Sequence, residues 1–438
     1  MIPSLFAMGW TKHKMRIKLA GPILLSVVLA ACAQAPKIPL GVDPPGDPPP
    51  AQQVLHGAGD PRLATAGNRV SLMSKGSEEL EALFAAMEGA QDHINLEFYI
   101  FENVRVQGRS LDRLLTEKLR SGVAVNLILD GYGSHRTDRA FLERLRKEGA
   151  RIVIFHPVTG AAVLRLDRLN RRDHRKILVV DGKVGFIGGI NIAHAYESDA
   201  VAPVGDRARL HWNDVVARIE GPAVAELQQL FFTVWSLHQG PVVEKRRYFP
   251  LLSKAGAERV RVIGSGPGPN LGRFYVPLLE AMHAARRSID LCTGSFVPTR
   301  QMVEELVRAG RRGVAVRLIL PSALYHPEVE MAGAADYEEL LRAGVRIWEM
   351  PEEVLHAKLA VVDGTWTAVG SSNLDERSVL FNQEVDAIVW GKKTASAARL
   401  VVEENLSRSR EVTVGGWRRR AVLERATEFF SAFWRFLM

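Results

Sequence analysis

The stretch that decides the fold is His174-Arg175-Lys176-Ile177-Leu178-Val179-Val180-Asp181-Gly182, because the chain contains it twice. The second copy is His356-Ala357-Lys358-Leu359-Ala360-Val361-Val362-Asp363-Gly364. Each copy is followed by a small-residue segment ending in Asn, Gly188-Gly189-Ile190-Asn191 in the first and Gly370-Ser371-Ser372-Asn373 in the second. The Asn stands 17 positions after the His both times. An aliphatic run, an Asp-Gly pair and a second apolar run predict a β-hairpin. Side chains alternate faces along a strand, so His174 shares a face with Lys176, and His356 with Lys358. A two-residue Asp-Gly turn pairs Val180 with Lys183 and sets His174 across from Gly189, and His356 across from Ser371. Asn191 and Asn373 then join the same faces. Each hairpin offers an imidazole, an ammonium and a carboxamide, which is half of a phosphate site. Packing alone requires the apolar positions, but not His, Lys and Asn at matched places in both copies.

The surroundings repeat as well. Gly122-Val123-Ala124-Val125-Asn126-Leu127-Ile128-Leu129 returns as Gly313-Val314-Ala315-Val316-Arg317-Leu318-Ile319-Leu320. A helical pattern precedes each (Leu111, Leu114, Leu115, Leu119; Val303, Leu306, Val307), and a helix and a Gly-x-Arg-Ile strand follow. Strand, helix, strand, helix, strand, hairpin in each half predicts an α/β fold of two pseudo-symmetric domains. Each is expected to be a mostly parallel sheet flanked by helices, with the active site at the interface where the hairpins meet. The domains are placed at 67–245 and 255–412, joined where Pro, Lys and Arg interrupt the pattern.

The paired motif resembles that of the phospholipase D superfamily, whose signature is His-x-Lys-x4-Asp with a Gly-Gly/Ser-x-Asn extension, twice in one chain. Within it the chain is most similar to bacterial cardiolipin synthases, through Asn95-Leu96-Glu97-Phe98-Tyr99-Ile100-Phe101, Arg172-Asp173-His174-Arg175-Lys176, Asn213-Asp214 and Arg218-Ile219-Glu220-Gly221-Pro222-Ala223-Val224. The resemblance implies phosphatidyl transfer through a phosphohistidine, with phosphatidylglycerol giving cardiolipin and no cofactor or metal. The alternative keeps the chemistry with water as acceptor, in a phospholipase D or a phosphodiesterase hydrolase.

In this chemistry the nonbridging oxygens of a phosphodiester must be neutralised while a nucleophile and an acid are supplied. Lys176, Lys358, Asn191 and Asn373 can hold those oxygens. One imidazole attacks phosphorus and the other serves the alcohols as acid and base. The resemblance implies His174 as nucleophile and His356 as acid/base, a choice that the near symmetry of the halves does not decide. By the same resemblance Asp214 is expected on His174 and Glu384 on His356, fixing their tautomers. Asp181 and Asp363 read as turn residues, and the resemblance gives them a site-organising part. Glu97, in a strand read as buried, needs a partner and is expected to face the site.

Outside the repeats, Lys12, Lys14, Arg16 and Lys18 precede an apolar run to Ala31, too short to span a bilayer comfortably. Residues 1–31 are expected to be a lipoprotein signal peptide, with Leu29-Ala30-Ala31-Cys32 resembling a lipobox that lipidates Cys32. Residues 32–66, rich in Pro and Ala, are expected to be a tether. Such a chain would sit in the bacterial envelope, facing the periplasm or exterior, with a membrane surface and an anionic phospholipid as partners. The formal charge of +8 falls to about +4 without the signal. That excess is too mild to argue for nucleic acid. Cys292 is then the only thiol, which excludes an intrachain disulfide. An insert, His156 to Asp173, carries Arg165, Arg168, Arg171 and Arg172 and is either a headgroup-gathering mouth or a solvated loop. The tail, 413–438, is Arg-rich and aromatic at helical spacing, fit to lie in a bilayer interface or to pack on the domain. The sequence carries no signal of oligomeric state.

Overall fold

The computed structural model describes residues 60–158, 166–197, 212–322 and 327–419. Within them the aliphatic runs form one 15-stranded sheet. The first half supplies β1 (Thr65–Met73), β2 (His93–Phe98), β3 (Ala124–Asp130), β4 (Arg151–Phe155), β5 (Lys176–Val180), β6 (Val184–Gly188) and β7 (Val216–Glu220). The second half supplies β8 (Glu258–Ser265), β9 (Ser288–Cys292), β10 (Ala315–Pro321), β11 (Arg346–Met350), β12 (Leu359–Val362), β13 (Trp366–Gly370), β14 (Glu384–Trp390) and β15 (Arg410–Val412). Their order is β15-β11-β10-β9-β12-β13-β14-β8-β1-β7-β6-β5-β2-β3-β4. Read outward from the central β8–β1 pair, both halves pass through the same succession, with β15 added at one edge.

The α/β class and the duplication hold, but the expectation of mostly parallel sheets is corrected. Within the 15-stranded sheet parallel pairing is confined to β2-β3-β4 and β9-β10-β11, while the hairpins and the strands beside them are antiparallel. Parallel neighbours need a crossover, which the helices Leu111–Arg120, Arg139–Lys147 and Arg300–Arg311 supply. Strands joined by a tight turn have no such choice.

The halves form one sheet that bends at its middle. β1 gives its first residues to β8 and the rest to β7, with a register shift between Ala66 and Asn68 where Gly67 takes φ 93°. A bulge of this kind bends a strand. Inner faces thereby meet: Ile177, Val179, Ile187 and Ala217 share one buried cluster with Val361, Val369, Val385 and Ala387. Outer faces are covered separately, by Leu80, Leu83, Leu114 and Phe141 in one half and Leu279, Val303, Leu306 and Leu340 in the other. Burying each such side chain stabilises the fold by about 1.5–3 kcal/mol. Both hairpins are consequently fixed by packing on both faces. β1 starts at Thr65, so the sheet claims the last residues assigned to the tether. Cys32 and the signal lie outside the described residues, as do Arg165 and most of the tail. Of the tail, helix Val414–Arg418 is described, and Trp417 packs 4.7 Å from the ring of Tyr337.

The turns depart from the expected register by one residue. Asp181, Gly182, Asp363 and Gly364 take positive φ, as a two-residue hairpin turn demands, yet Val180 pairs with Val184 and Val362 with Trp366. Lys183 and Thr365 are the extra residues. The count that set Gly189 across from His174 and Ser371 across from His356 is therefore off by one, and Asn191 and Asn373 lie beyond the ends of β6 and β13.

Asp181 and Asp363 stand at the turns, at the far ends of β5 and β12 from His174 and His356, so their placement among the catalytic groups is corrected. The Asp181 carboxylate accepts the backbone N–H groups of Gln91, Asp92 and His93, at 2.8–3.2 Å. Asp363 does the same for Arg286, Arg287 and Ser288, at 2.7–3.0 Å. Each pins its hairpin to the start of the neighbouring strand. Burial works to raise the Asp363 pKa, but those three N–H groups outweigh it and hold the carboxyl below the ordinary 3.8. The stability it contributes is present above that value and lost as pH falls through the lowered one. Asp363→Asn is expected to destabilise the protein by about 1–3 kcal/mol at pH 7. Urea unfolding at descending pH should show that penalty shrinking as the natural carboxylate is protonated.

Candidate active site

The first residues of β5 and β12 converge where the two halves meet. The rings of His174 and His356 lie 6.4 Å apart at 74°. Both are almost fully enclosed, with side-chain exposures of 11% and 15%. The hairpins thus bring together four of the expected residues, His174, Lys176, His356 and Lys358.

The carboxylates are crossed relative to the sequence expectation. Glu384, from the second half, holds His174, with both oxygens 3.1 Å from Nδ1. Asp214, from the first half, holds His356, with Oδ2 2.7 Å from Nδ1. Two short parallel pairings across the seam cause this. Asp173 bridges to Gln383, and Val354-Leu355 pairs with Trp212-Asn213. His174 N–H donates to Gln383 O at 2.9 Å and His356 N–H to Asn213 O at 2.7 Å. The residue after each acceptor is the carboxylate, which is thereby delivered to the histidine of the opposite half. With both Nδ1 atoms engaged, each Nε2 is left for chemistry.

Lys176 donates to the carbonyl of His174 and Lys358 to that of His356. Burial is the largest influence on both ammoniums, bringing Lys176 down to about 7 and Lys358 to about 8. Burial also lowers both imidazoles, His356 to about 3 with Lys358 adding to the effect, while Glu384 opposes the fall at His174. Burial works to raise Glu384, but His174, Lys176 and Ser371 together leave its carboxyl below the ordinary range. The centre is a buried cluster of cationic and proton-transferring groups that an anion would complete.

Asn191 is buried, accepts the Ile100 N–H at 3.1 Å, and leaves Nδ2 without a partner. Asn373 likewise has an unpartnered Oδ1. Glu97 does not face the site, which corrects that expectation. It pairs with Ile177 and so lies on the opposite face of β2 from Phe98, which pairs with Lys176. Its carboxylate meets the Arg175 guanidinium at 3.3 Å, and Arg175 in turn donates to Glu384 O and Gln383 Oε1 at 3.1 and 3.0 Å. Glu97 therefore acts behind the site, on the segment that carries Glu384. Of the Arg insert, Arg172 is buried on Asp130 at 3.0 Å, while Arg168 and Arg171 are exposed. Asp130 also accepts the Asp173 N–H at 2.9 Å, so this pair anchors the chain entering His174.

Several groups at the site were given no role by the sequence, although Tyr99 and Ser371 lie inside the stretches quoted from it. The Tyr99 ring lies 5.1 Å from that of His174 and 5.2 Å from the Lys176 ammonium. Trp212 lies 4.6 Å from the ring of His356. Ser371 donates its hydroxyl to Glu384 at 2.5 Å, and Tyr196 donates to Asp214 at 2.8 Å. In the duplicated frame Gly294 stands where Tyr99 does, and a Cβ there would lie 2.9 Å from His356 Cα. The second half thus has no room for a side chain at the place that Tyr99 fills in the first, because the His356 backbone and the Lys358 ammonium already stand there.

One site assembled from two His-x-Lys hairpins defines a phospholipase D-type enzyme that handles phosphodiesters. The family described as "Cardiolipin synthase, PLD-like domain" matches residues 83–201 and 278–404, and the chain belongs to it. It is 30% identical over 368 residues to cardiolipin synthase 1 of Bacillus cereus, covering 82% of this chain and 70% of that protein. The cardiolipin synthase of Listeria innocua is 33% identical over 359 residues, covering 81% of this chain and 72% of that one. Among solved structures, a phosphatidylserine synthase of Haemophilus influenzae superposes with TM-score 0.61 at 10% identity, covering 88% of this chain and 97% of its own. A polyphosphate kinase of Porphyromonas gingivalis gives 0.53 at 13% identity, with 84% and 52% covered. Those two similarities establish the fold alone.

A lysine with lowered pKa holds anions well below that pKa and releases them above it. Sulfate, whose own charge does not change near neutrality, is therefore expected to bind with constant affinity below pH 7. From pH 7 upward its affinity should fall by about tenfold per pH unit as Lys176 loses its proton, and more steeply above pH 8 where Lys358 follows. Calorimetric titration across pH 6–9.5 checks this.

Proposed function

We propose that the protein is a membrane-tethered phosphatidyl transferase that makes cardiolipin from two molecules of phosphatidylglycerol. The observation that carries the reading is the pair of imidazoles 6.4 Å apart, each oriented through Nδ1 by a carboxylate of the opposite half. That spacing suits one phosphorus atom between two Nε2 atoms. His174 Nε2 attacks phosphorus, the bond to glycerol oxygen breaks, and His356, entering this step as the imidazolium held by Asp214, donates its Nε2 proton to the departing alkoxide. In the second step a hydroxyl of another phosphatidylglycerol gives its proton to His356 while its oxygen attacks phosphorus. The P–N bond breaks, His174 is regenerated, and cardiolipin and glycerol are the products. Lys176, Lys358, Asn191 and Asn373 hold the nonbridging oxygens, in keeping with the buried, unpartnered Asn191 Nδ2. Glu384 and Asp214 hold a proton on each Nδ1, which leaves Nε2 of His174 free to attack and makes Nε2 of His356 the atom that gives up and regains the transferred proton.

The setting belongs to the same reading. No helix among the described residues is long and apolar enough to cross a membrane. Residues 1–31 direct export, Cys32 carries the lipid, and the catalytic domains face the periplasm or the cell exterior on the tether. Mass spectrometry of the mature N-terminus should find a diacylglyceryl cysteine, and an unprocessed Met terminus would remove this part of the proposal.

For the chemistry, purified protein is incubated with phosphatidylglycerol vesicles and the products are separated. Cardiolipin and free glycerol are expected in equal amounts, whereas phosphatidic acid alone would make water the acceptor. His174→Ala and His356→Ala are each expected to lower turnover by at least about 10³-fold while circular dichroism and melting remain those of the natural chain.

A further inference from the structure

The two halves each give their carboxylate one hydroxyl donor, but from different places. In the second half Ser371 follows the end of β13 and donates to Glu384 Oε2. Its counterpart in the first half is Gly189, where any Cβ would fall on the Asp214 carboxylate. The hydroxyl for Asp214 comes instead from Tyr196, five residues after Asn191. The residue five after Asn373 is Ser378, whose hydroxyl accepts the Asn373 N–H at 3.2 Å and leaves Glu384 to Ser371.

Tyr196 is fully buried in the turn His194–Tyr196, which packs on helix Gly76–Glu88. Its hydroxyl lies 2.8 Å from Asp214 Oδ2, the same oxygen that holds His356, and 3.3 Å from His356 Nδ1. The remaining donors are alike. Val215 N–H serves Asp214 at 2.9 Å, and the Asn382 amide serves Glu384 at 3.2 Å. What separates the two sides is a phenol against an alcohol. A phenol is the more acidic hydroxyl and the stronger donor, so it withdraws more of the negative charge that would stabilise an imidazolium.

We propose that Tyr196 is a positioning residue for His356: its phenol fixes Asp214 and makes His356 the weaker base of the two imidazoles. The inference rests on the phosphohistidine reading, in which the weaker base, once protonated, is the stronger acid toward a departing alkoxide. The other charged groups facing His356 are Lys358 on β12, Lys176 on β5 and His174 across the seam. Glu384, Asp375 and Asp386 face Lys358, and Glu79, on the helix beneath, faces Asp214 and Tyr196. Burial, with the neighbouring Asp214 charge, pushes the Glu79 carboxyl well above its ordinary value.

The test is a histidine titration by NMR on the full chain, with His174 and His356 assigned through single substitutions. Tyr196→Phe keeps the ring and removes the donor. It is expected to raise the His356 titration by about one pH unit, leave His174 in place, and lower kcat by about 10–100-fold with KM little changed. One limb of the kcat/KM profile should move upward by the same amount. Should Tyr196→Phe fold poorly, 2,3-difluorotyrosine at 196, a stronger donor of nearly the same shape, is expected to move His356 the opposite way. An unmoved His356 in a folded Tyr196→Phe protein, or an equal shift of both histidines, overturns the proposal. The titration needs no substrate. A protein that shows the His356 shift but forms no cardiolipin therefore refutes the transferase reading and leaves the role of Tyr196 standing.

Discussion

Two imidazoles and two ammoniums enclosed at one seam are unfavourable in a low-dielectric setting unless carboxylates stand against them. The rest of the structure follows from how those carboxylates arrive. Neither half supplies the carboxylate for its own histidine. Asp214 crosses to His356 and Glu384 to His174, each as the residue after the carbonyl that accepts that histidine's N–H. The bend at Gly67, the shared core of Ile177, Val179, Val361 and Val385, and the short pairing of Val354-Leu355 with Trp212-Asn213 all hold that crossing in place. The aspartates at the turns do the corresponding work at the far end of each hairpin.

Much of this was legible before any coordinates. The duplicated strings placed both hairpins, both lysines and the succession of strands and helices, because aliphatic periodicity and Asp-Gly turns are local signals. The identities of Asp214 and Glu384 were legible too. Their pairing was not, since it depends on contacts between segments 142 and 210 residues apart that carry no periodic pattern. The register slipped because an extra residue, Lys183 or Thr365, follows each Asp-Gly turn, and no residue type announces it. Glu97 was recognised as a buried acid in need of a partner, but its face was misjudged. The pairing of β2 with β5 puts it on the side of Arg175, where a buried cation already waits.

The symmetry is that of a backbone more than of a site. Tyr99 is matched by Gly294, Arg175 by Ala357, and Gly189 by Ser371. Around the common His-Lys core the first half is aromatic and charged, and the second carries small residues packed close to the histidine. A reaction that takes one lipid as donor and another as acceptor requires two unlike approaches to one phosphorus. Differences of this kind can supply them without disturbing the shared frame.

The exchange of carboxylates also bears on how such a chain could have arisen. A single half, standing alone, has a histidine with nothing to orient it and an acid with nothing to hold, so it is chemically mute. Two identical copies would restore each other only as a pair, and joining them in one polypeptide makes that mutual dependence permanent. Either member can then vary, provided its partner keeps the one side chain it lends.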